Sequence, residues 1–123
     1  MPKVMTPQEA ERQKAAKIAE ERSRLTVDDY NRVLEGYLLE KRSERGYTDR
    51  EPSDYYNSSV ARWAQDARDW IAFRDRVMTY GLQIINDFYS GEQVPSIDGF
   101  KAELEKIECN WTYEVTDGQI FRV

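Results

Sequence analysis

Histidine is absent from this chain of 123 residues, which removes the commonest general base and the commonest metal ligand. Ser–His and Cys–His nucleophilic pairs are therefore excluded. The single cysteine, Cys109, allows no internal disulfide and no multi-cysteine metal site. It reads as a half-buried thiol rather than a nucleophile. Gly36, Gly46, Gly81, Gly91, Gly99 and Gly118 stand singly, so no glycine-rich loop cradles a phosphate. Carboxylates are plentiful, and Asp66 and Asp69 share a helix face at i,i+3. Arg62, Arg68 and Arg74 lie close by, and surface ion pairing with them accounts for both. Calcium-loop spacing does not occur. The residues imply no enzyme, no cofactor and no metal.

The charge balance narrows the partners. The chain carries 18 basic and 23 acidic residues, a net charge of −5. Residues 1–24 hold six basic and four acidic groups, so the rest holds twelve against nineteen. An acidic body gains nothing from counterion release on DNA or RNA, and nucleic acid is not expected as a partner. No 18-residue apolar run and no secretory leader pattern occur, so no membrane is expected and the cytoplasm is the expected compartment.

The elements that would position any site are helices. From Ser59 to Tyr89, Val60, Trp63, Ala67, Trp70, Arg74, Val77, Gly81, Ile84 and Phe88 recur at alternating three- and four-residue steps. That spacing predicts one long helix with one buried stripe, widened by Ala64, Ile71, Met78 and Ile85. Ser58 or Ser59 should cap its start, and Gly91 suits a left-handed stop. Thr26-Val27-Asp28-Asp29 opens a second helix over 27–45, ended by Gly46, with Tyr30, Leu34, Tyr37 and Leu38 facing the long one. Ser96 caps a short helix near 97–107. Thr6-Pro7-Gln8-Glu9 is a capping box for an N-terminal helical arm reaching Ser23, thin in apolar residues. From Trp111 the period changes to two, Asp117-Gly118 is a turn signal, and Gln119–Val123 can return as a second strand. The expectation is an all-α antiparallel domain built on the long helix. It comprises an arm at 1–24, a helical core at 25–111, and a tail at 112–123 able to form a small β-hairpin.

Within that frame, Arg74 interrupts the stripe between Trp70 and Val77. Its stem can cover apolar surface while the guanidinium reaches an edge, or it can pair with a carboxylate of the helix at 27–45, and Asp75 points about 100° away into solvent. The loop from Tyr47 to Ser58 carries Tyr47, Tyr55 and Tyr56, which read either as a lid folded onto the core or as a binding surface. With Trp111, Tyr113 and Phe121 of the tail, these tyrosines and Arg74 are the candidate interaction residues.

Glu44-Arg45-Gly46-Tyr47, the run Trp70-Ile71-Ala72-Phe73-Arg74-Asp75-Arg76-Val77-Met78-Thr79-Tyr80, then Gly91 and Val94-Pro95-Ser96 before a last helix, form a recognisable series. The chain resembles in these residues an uncharacterised phage and prophage helical domain carried by tail-fibre assembly and other tail-associated proteins. The likeness covers about residues 27–111. Phe73 stands where that domain usually has Trp, and Thr48-Asp49 where it has Asp after the Tyr. The resemblance implies a non-enzymatic structural or assembly role in a phage tail, in the host cytoplasm or the virion, with other tail proteins or its own copies as partners. It assigns no site residues. A rival from another class is an acidic inhibitor of a host nuclease or defence protein. That reading needs carboxylates gathered on one face, and here arginines interleave with them. The short second helix, the aromatic tail and the thin arm predict a homo-oligomer or a larger assembly.

Overall fold

The computed structural model describes residues 6–14, 25–115 and 120–121. The fold is all-α. Helix α1 spans Val27–Glu44, α2 spans Ala61–Tyr89, and α3 spans Ile97–Glu105, with a 3-10 turn at Pro52–Tyr55 between α1 and α2. Residues 7–14 are also helical, with Thr6 Oγ1 accepting the Glu9 N–H at 3.2 Å, and their side chains are exposed. The remainder of the expected arm lies outside the described residues.

Local chemistry sets the ends of each element. Asp29 reaches back to accept the Thr26 N–H at 2.8 Å and so closes the first turn of α1. Gly46 at φ 106° and Gly91 at φ 73° end α1 and α2 in the left-handed region. At the first, Tyr47 N–H bonds to Arg42 O and Gly46 N–H to Ser43 O. At the second, Glu92 N–H bonds to Asp87 O and Gly91 N–H to Phe88 O. Both are Schellman turns, in which a residue without Cβ takes the conformation others avoid. Ser96 caps α3 through a 3.1 Å bond from Gly99 N–H. The start of α2 differs from the expected serine cap. Its N-cap is Val60, and Ser58 Oγ instead accepts the Val60 N–H at 3.1 Å, closing the turn before the helix.

Packing brings α1 and α3 onto α2. Tyr30, Leu34 and Tyr37 of α1 are buried against Trp70, Phe73, Val77, Ile84 and Ile85 of α2 and Phe100 and Leu104 of α3. Phe100 meets the Tyr30 ring edge-on at 5.1 Å and stacks on Tyr80 at 5.5 Å. Each buried hydroxyl at α1 finds a carbonyl beyond α2: Tyr30 donates to Pro95 O at 2.7 Å and Tyr37 to Ile107 O at 2.6 Å.

The buried stripe of α2 departs from the expected register at one point. Phe73 is fully buried, and Arg74 sits half-exposed at the edge. Both positions lie beside Trp70 and Val77 on the helix, but Phe73 takes the α1 side, its ring 6.0 Å from Tyr37 and 5.4 Å from Trp70, while Arg74 turns to Glu51 of the loop. Trp63 and Phe88, expected in the core, are half-buried at its two ends. Trp111–Val115, expected as a strand, is irregular: Thr112 bonds to the Asp69 side chain of α2 and the Tyr113 carbonyl accepts from Arg45 at the end of α1, in place of a ladder. The turn and most of the return strand lie outside the described residues.

Candidate interaction site around the Arg45–Asp66 pair

The Schellman turn after α1 determines what the site is made of. By reversing the chain at Gly46 it aims Arg45 and Tyr47, on either side of the glycine, at the same buried point of α2. That point is Asp66, fully buried. Arg45 Nε and Nη2 donate to its two carboxylate oxygens at 2.8 Å each, and the Tyr47 hydroxyl adds a third bond at 2.8 Å. A bidentate guanidinium with a phenolic donor replaces most of the hydration the carboxylate loses. Arg45 Nη2 also donates to Tyr113 O, which ties the tail to the pair. Burial, then the bond to Asp66, raises the Tyr47 pKa far above that of a free tyrosine. The expectation that Asp66 pairs at the surface with Arg62, Arg68 or Arg74 is thus replaced. A carboxylate at the N-terminal end of a buried stripe cannot reach solvent, and its partner comes from the preceding helix.

Aromatic rings extend this node in two directions. On one side the Arg45 guanidinium lies 4.4 Å from the Trp111 ring centre, and Trp111 stacks on Trp70 at 6.3 Å with 9° between planes. Asp69 holds that segment in place, accepting the Thr112 N–H at 2.8 Å and its hydroxyl at 3.2 Å. On the other side Tyr47, Tyr55, Trp63 and Phe121 form a cluster with ring centres 5.1–6.0 Å apart. Ile120 is fully buried beside it, and its carbonyl accepts the Trp63 indole N–H at 3.2 Å. Arg50 lies over Phe121 at 5.3 Å and donates to the Tyr55 hydroxyl at 2.8 Å.

A second polar node closes the loop onto α2. Glu51 Oε1 accepts from Trp70 Nε1 and from Arg74 Nη1, both at 2.9 Å. Burial works against its charge, but the bonds from Trp70 and Arg74 prevail and hold its pKa below the usual carboxylate value. Arg74 therefore pairs with the loop, not with α1 as its place in the sequence suggested. On α1 the cleft beside Arg74 is lined by Glu35, Leu38, Leu39 and Arg42, but it is Glu51, at the start of the 3-10 turn, that comes within 2.9 Å of it. Asp75 is exposed, as expected, with a loose 3.8 Å approach to Arg74.

The candidate residues fall into two groups. Tyr47, Tyr55, Trp111 and Phe121 are occupied within the molecule, and Arg74 is paired with Glu51. Only Tyr56 and Tyr113 present much of their rings to solvent, and Arg68 lies over Tyr56 at 5.7 Å. Arg45 and Asp66, the best-buried charges among the described residues, are absent from the expected set. The glycine stop beside an Arg and a Tyr was their only local signal.

A cleft of about 300 Å³ opens beside the node, lined by Lys41, Glu44, Arg45, Glu108, Cys109 and Trp111. It offers charges of both signs. The Cys109 thiol there is pushed up to about 12, by burial first and then by Asp69, so it stays protonated and weakly nucleophilic at neutral pH. Among the described residues no three Cys, Asp or Glu side chains converge as a metal site, and no helix is long and apolar enough to cross a membrane. Compared with protein-family models, with curated proteins and with solved structures, the chain matches none.

Proposed function

We propose that this chain is a phage- or prophage-encoded tail-associated or tail-assembly protein that acts without catalysis, through protein–protein contacts, in the host cytoplasm during assembly. One observation carries the interaction reading: the polar groups with the strongest chemistry are spent on one another. Arg45 and Asp66 neutralise each other in the core, and Glu51 is engaged by Trp70 and Arg74. Among the described residues, the rings that face outward are those of Tyr56, Tyr89 and Tyr113. The tail context rests on the resemblance. Several residues that carry it, Arg45, Gly46, Tyr47, Trp70 and Arg74, are those that hold α1, the loop and α2 together, so the likeness is one of scaffold.

Co-expression of the tagged chain with fibre and baseplate proteins of a phage carrying it tests the reading. Stoichiometric co-purification with one of them, or loss of fibres from virions when the gene is deleted, is the expected outcome. Normal virions after deletion, together with stoichiometric inhibition of a host nuclease by the purified chain, would replace this reading with the acidic-inhibitor one.

A further inference from the structure

The C-terminal half of α2 stands apart in a chain that is 33% charged. From Val77 to Asn86 there is no charged residue, and up to Gly91 only Asp87. Within that half, Met78, Leu82, Ile85 and Tyr89 follow one another at steps of four, three and four. At 100° per residue they lie within about 60° of each other on one flank. Leu82 points about 160° away from Tyr80, the residue that stacks on Phe100 of α3, so this flank is the one α3 leaves uncovered. Leu82 is 51% exposed and Tyr89 74%, while Ile85, buried in the core, marks the inner edge of the flank. Thr79, Gln83 and Asn86 border it on the outside, all exposed and all uncharged. An apolar stripe with an uncharged outer border loses little hydration when covered, and Met and Tyr are typical of interface centres.

We infer that this flank is a self-association surface on which a second copy of the chain docks through the same stripe, the two α2 helices antiparallel. Three features favour a second copy. The 4-3-4 spacing reads the same in both directions, so a two-fold axis between Leu82 and Ile85 sets Met78 of each copy opposite Tyr89 of the other, and Leu82 over the core edge at Ile85. Such an interface is isologous and closed. The face is one convex helix rather than a groove, which suits ridge-into-groove pairing at a shallow angle. The body from residue 25 onward is acidic, twelve basic against nineteen acidic groups, so two copies repel except where charge is missing. The antiparallel direction follows from Asp75, one turn before Met78 on the same flank. A parallel pair sets it against its own copy, whereas an antiparallel pair carries it past Tyr89, where the facing helix has ended at Gly91. The surface holds whether or not the partner protein belongs to a phage tail.

Sedimentation equilibrium of the purified full chain from low to high micromolar concentration is the test. The expected result is a reversible doubling of mass. Leu82→Glu should raise the dimer Kd by about thirtyfold or more, the effect of losing a central anchor, with helicity unchanged. Asn86→Arg on the border should weaken the dimer too, and Leu39→Glu, at an exposed site of α1, should leave it intact. In a Cys109→Ser background, Met78→Cys mixed with Tyr89→Cys should give the mixed disulfide in preference to either homodimer. A chain that stays monomeric across the range overturns the proposal, as does a dimer that survives Leu82→Glu. Preferred Met78→Cys homodimers would overturn the antiparallel pairing. None of these outcomes alters co-purification with a tail protein, so the two proposals fail separately.

Discussion

Leu34 of α1 lies directly on the backbone of Gly81 of α2: a Cβ at position 81 would come within 2.5 Å of Leu34 Cδ1 and 2.7 Å of Cδ2. Glycine is required here for closeness, not for an unusual φ. The missing side chain lets α1 approach near the middle of its length, and it places Tyr30 and Tyr37, one turn to either side, over α2 and α3.

Gly81→Ala should therefore destabilise the chain. The gain in helix propensity, about 1 kcal/mol, is opposed by overpacking of roughly 1–3 kcal/mol against a side chain buried in the core. Leu34→Ala alone should cost about 2–5 kcal/mol. The double variant should cost less than the sum, because the new methyl enters the space the leucine leaves. Urea unfolding of the four proteins measures the coupling, and strict additivity would show that the helices do not touch at this pair.

Asp66 is the most sensitive charge. Asp66→Ala leaves Arg45 buried and the Tyr47 hydroxyl without its acceptor, a loss of about 3–5 kcal/mol. Replacing Arg45 and Asp66 together by apolar residues of similar volume should cost much less than either single change. Thermal unfolding followed by circular dichroism decides, and an Asp66→Ala protein within 1 kcal/mol of the parent would mean the pair is open to solvent.

Glu51 and Arg74 behave differently because both remain partly exposed, with 41% and 33% of their side chains accessible. Arg74→Met should change stability by no more than about 1 kcal/mol. Glu51→Ala should hurt more, since it also strands the Trp70 indole N–H. The lowered pKa of Glu51 means the folded state binds fewer protons there than the unfolded chain. That contribution is present above the unfolded value of 4.5 and is lost as pH falls through the folded pKa. Glu51→Gln should flatten the acid limb of the stability–pH curve, and an unchanged limb would remove Glu51 from it.

At the alkaline end the sign reverses. Tyr47 holds its proton more tightly folded than unfolded, through burial first and the bond to Asp66 second. Tyr37, by burial and then Glu105, and Tyr80, by burial and then Glu103, shift the same way. The folded state thus binds more protons above the unfolded tyrosine value of 10.0, and stability should fall as pH rises past it. Tyr47→Phe should lower stability at pH 8 by about 1–2 kcal/mol and flatten the decline between pH 10 and 11. Urea midpoints at pH 8, 10 and 11 check this, and a parent protein with equal midpoints at all three would refute it.

The sequence by itself determined the helices and where they stop. Their signals are local: periodic apolar residues, the Thr26 and Ser96 caps, and Gly46 and Gly91 at positions where only a residue without Cβ rests easily in the left-handed region. The all-α class and the packing of Tyr30, Leu34 and Tyr37 on the long helix follow from those signals. What tertiary structure decided is which charges are buried and what they meet. Asp66 resembles any helical aspartate among arginines, and Arg74 any stripe position. A carboxylate's fate depends on which loop or helix end covers it, and that is settled by contacts 19 to 23 residues away in the chain. The tail shows the same division. Trp111, Tyr113 and Val115 alternate as a strand would, but a strand exists only with a partner's backbone beside it. Here Asp69 took the Thr112 N–H, Arg45 took the Tyr113 carbonyl, and Trp70 took the Trp111 ring, so the segment lies against the core without becoming a sheet.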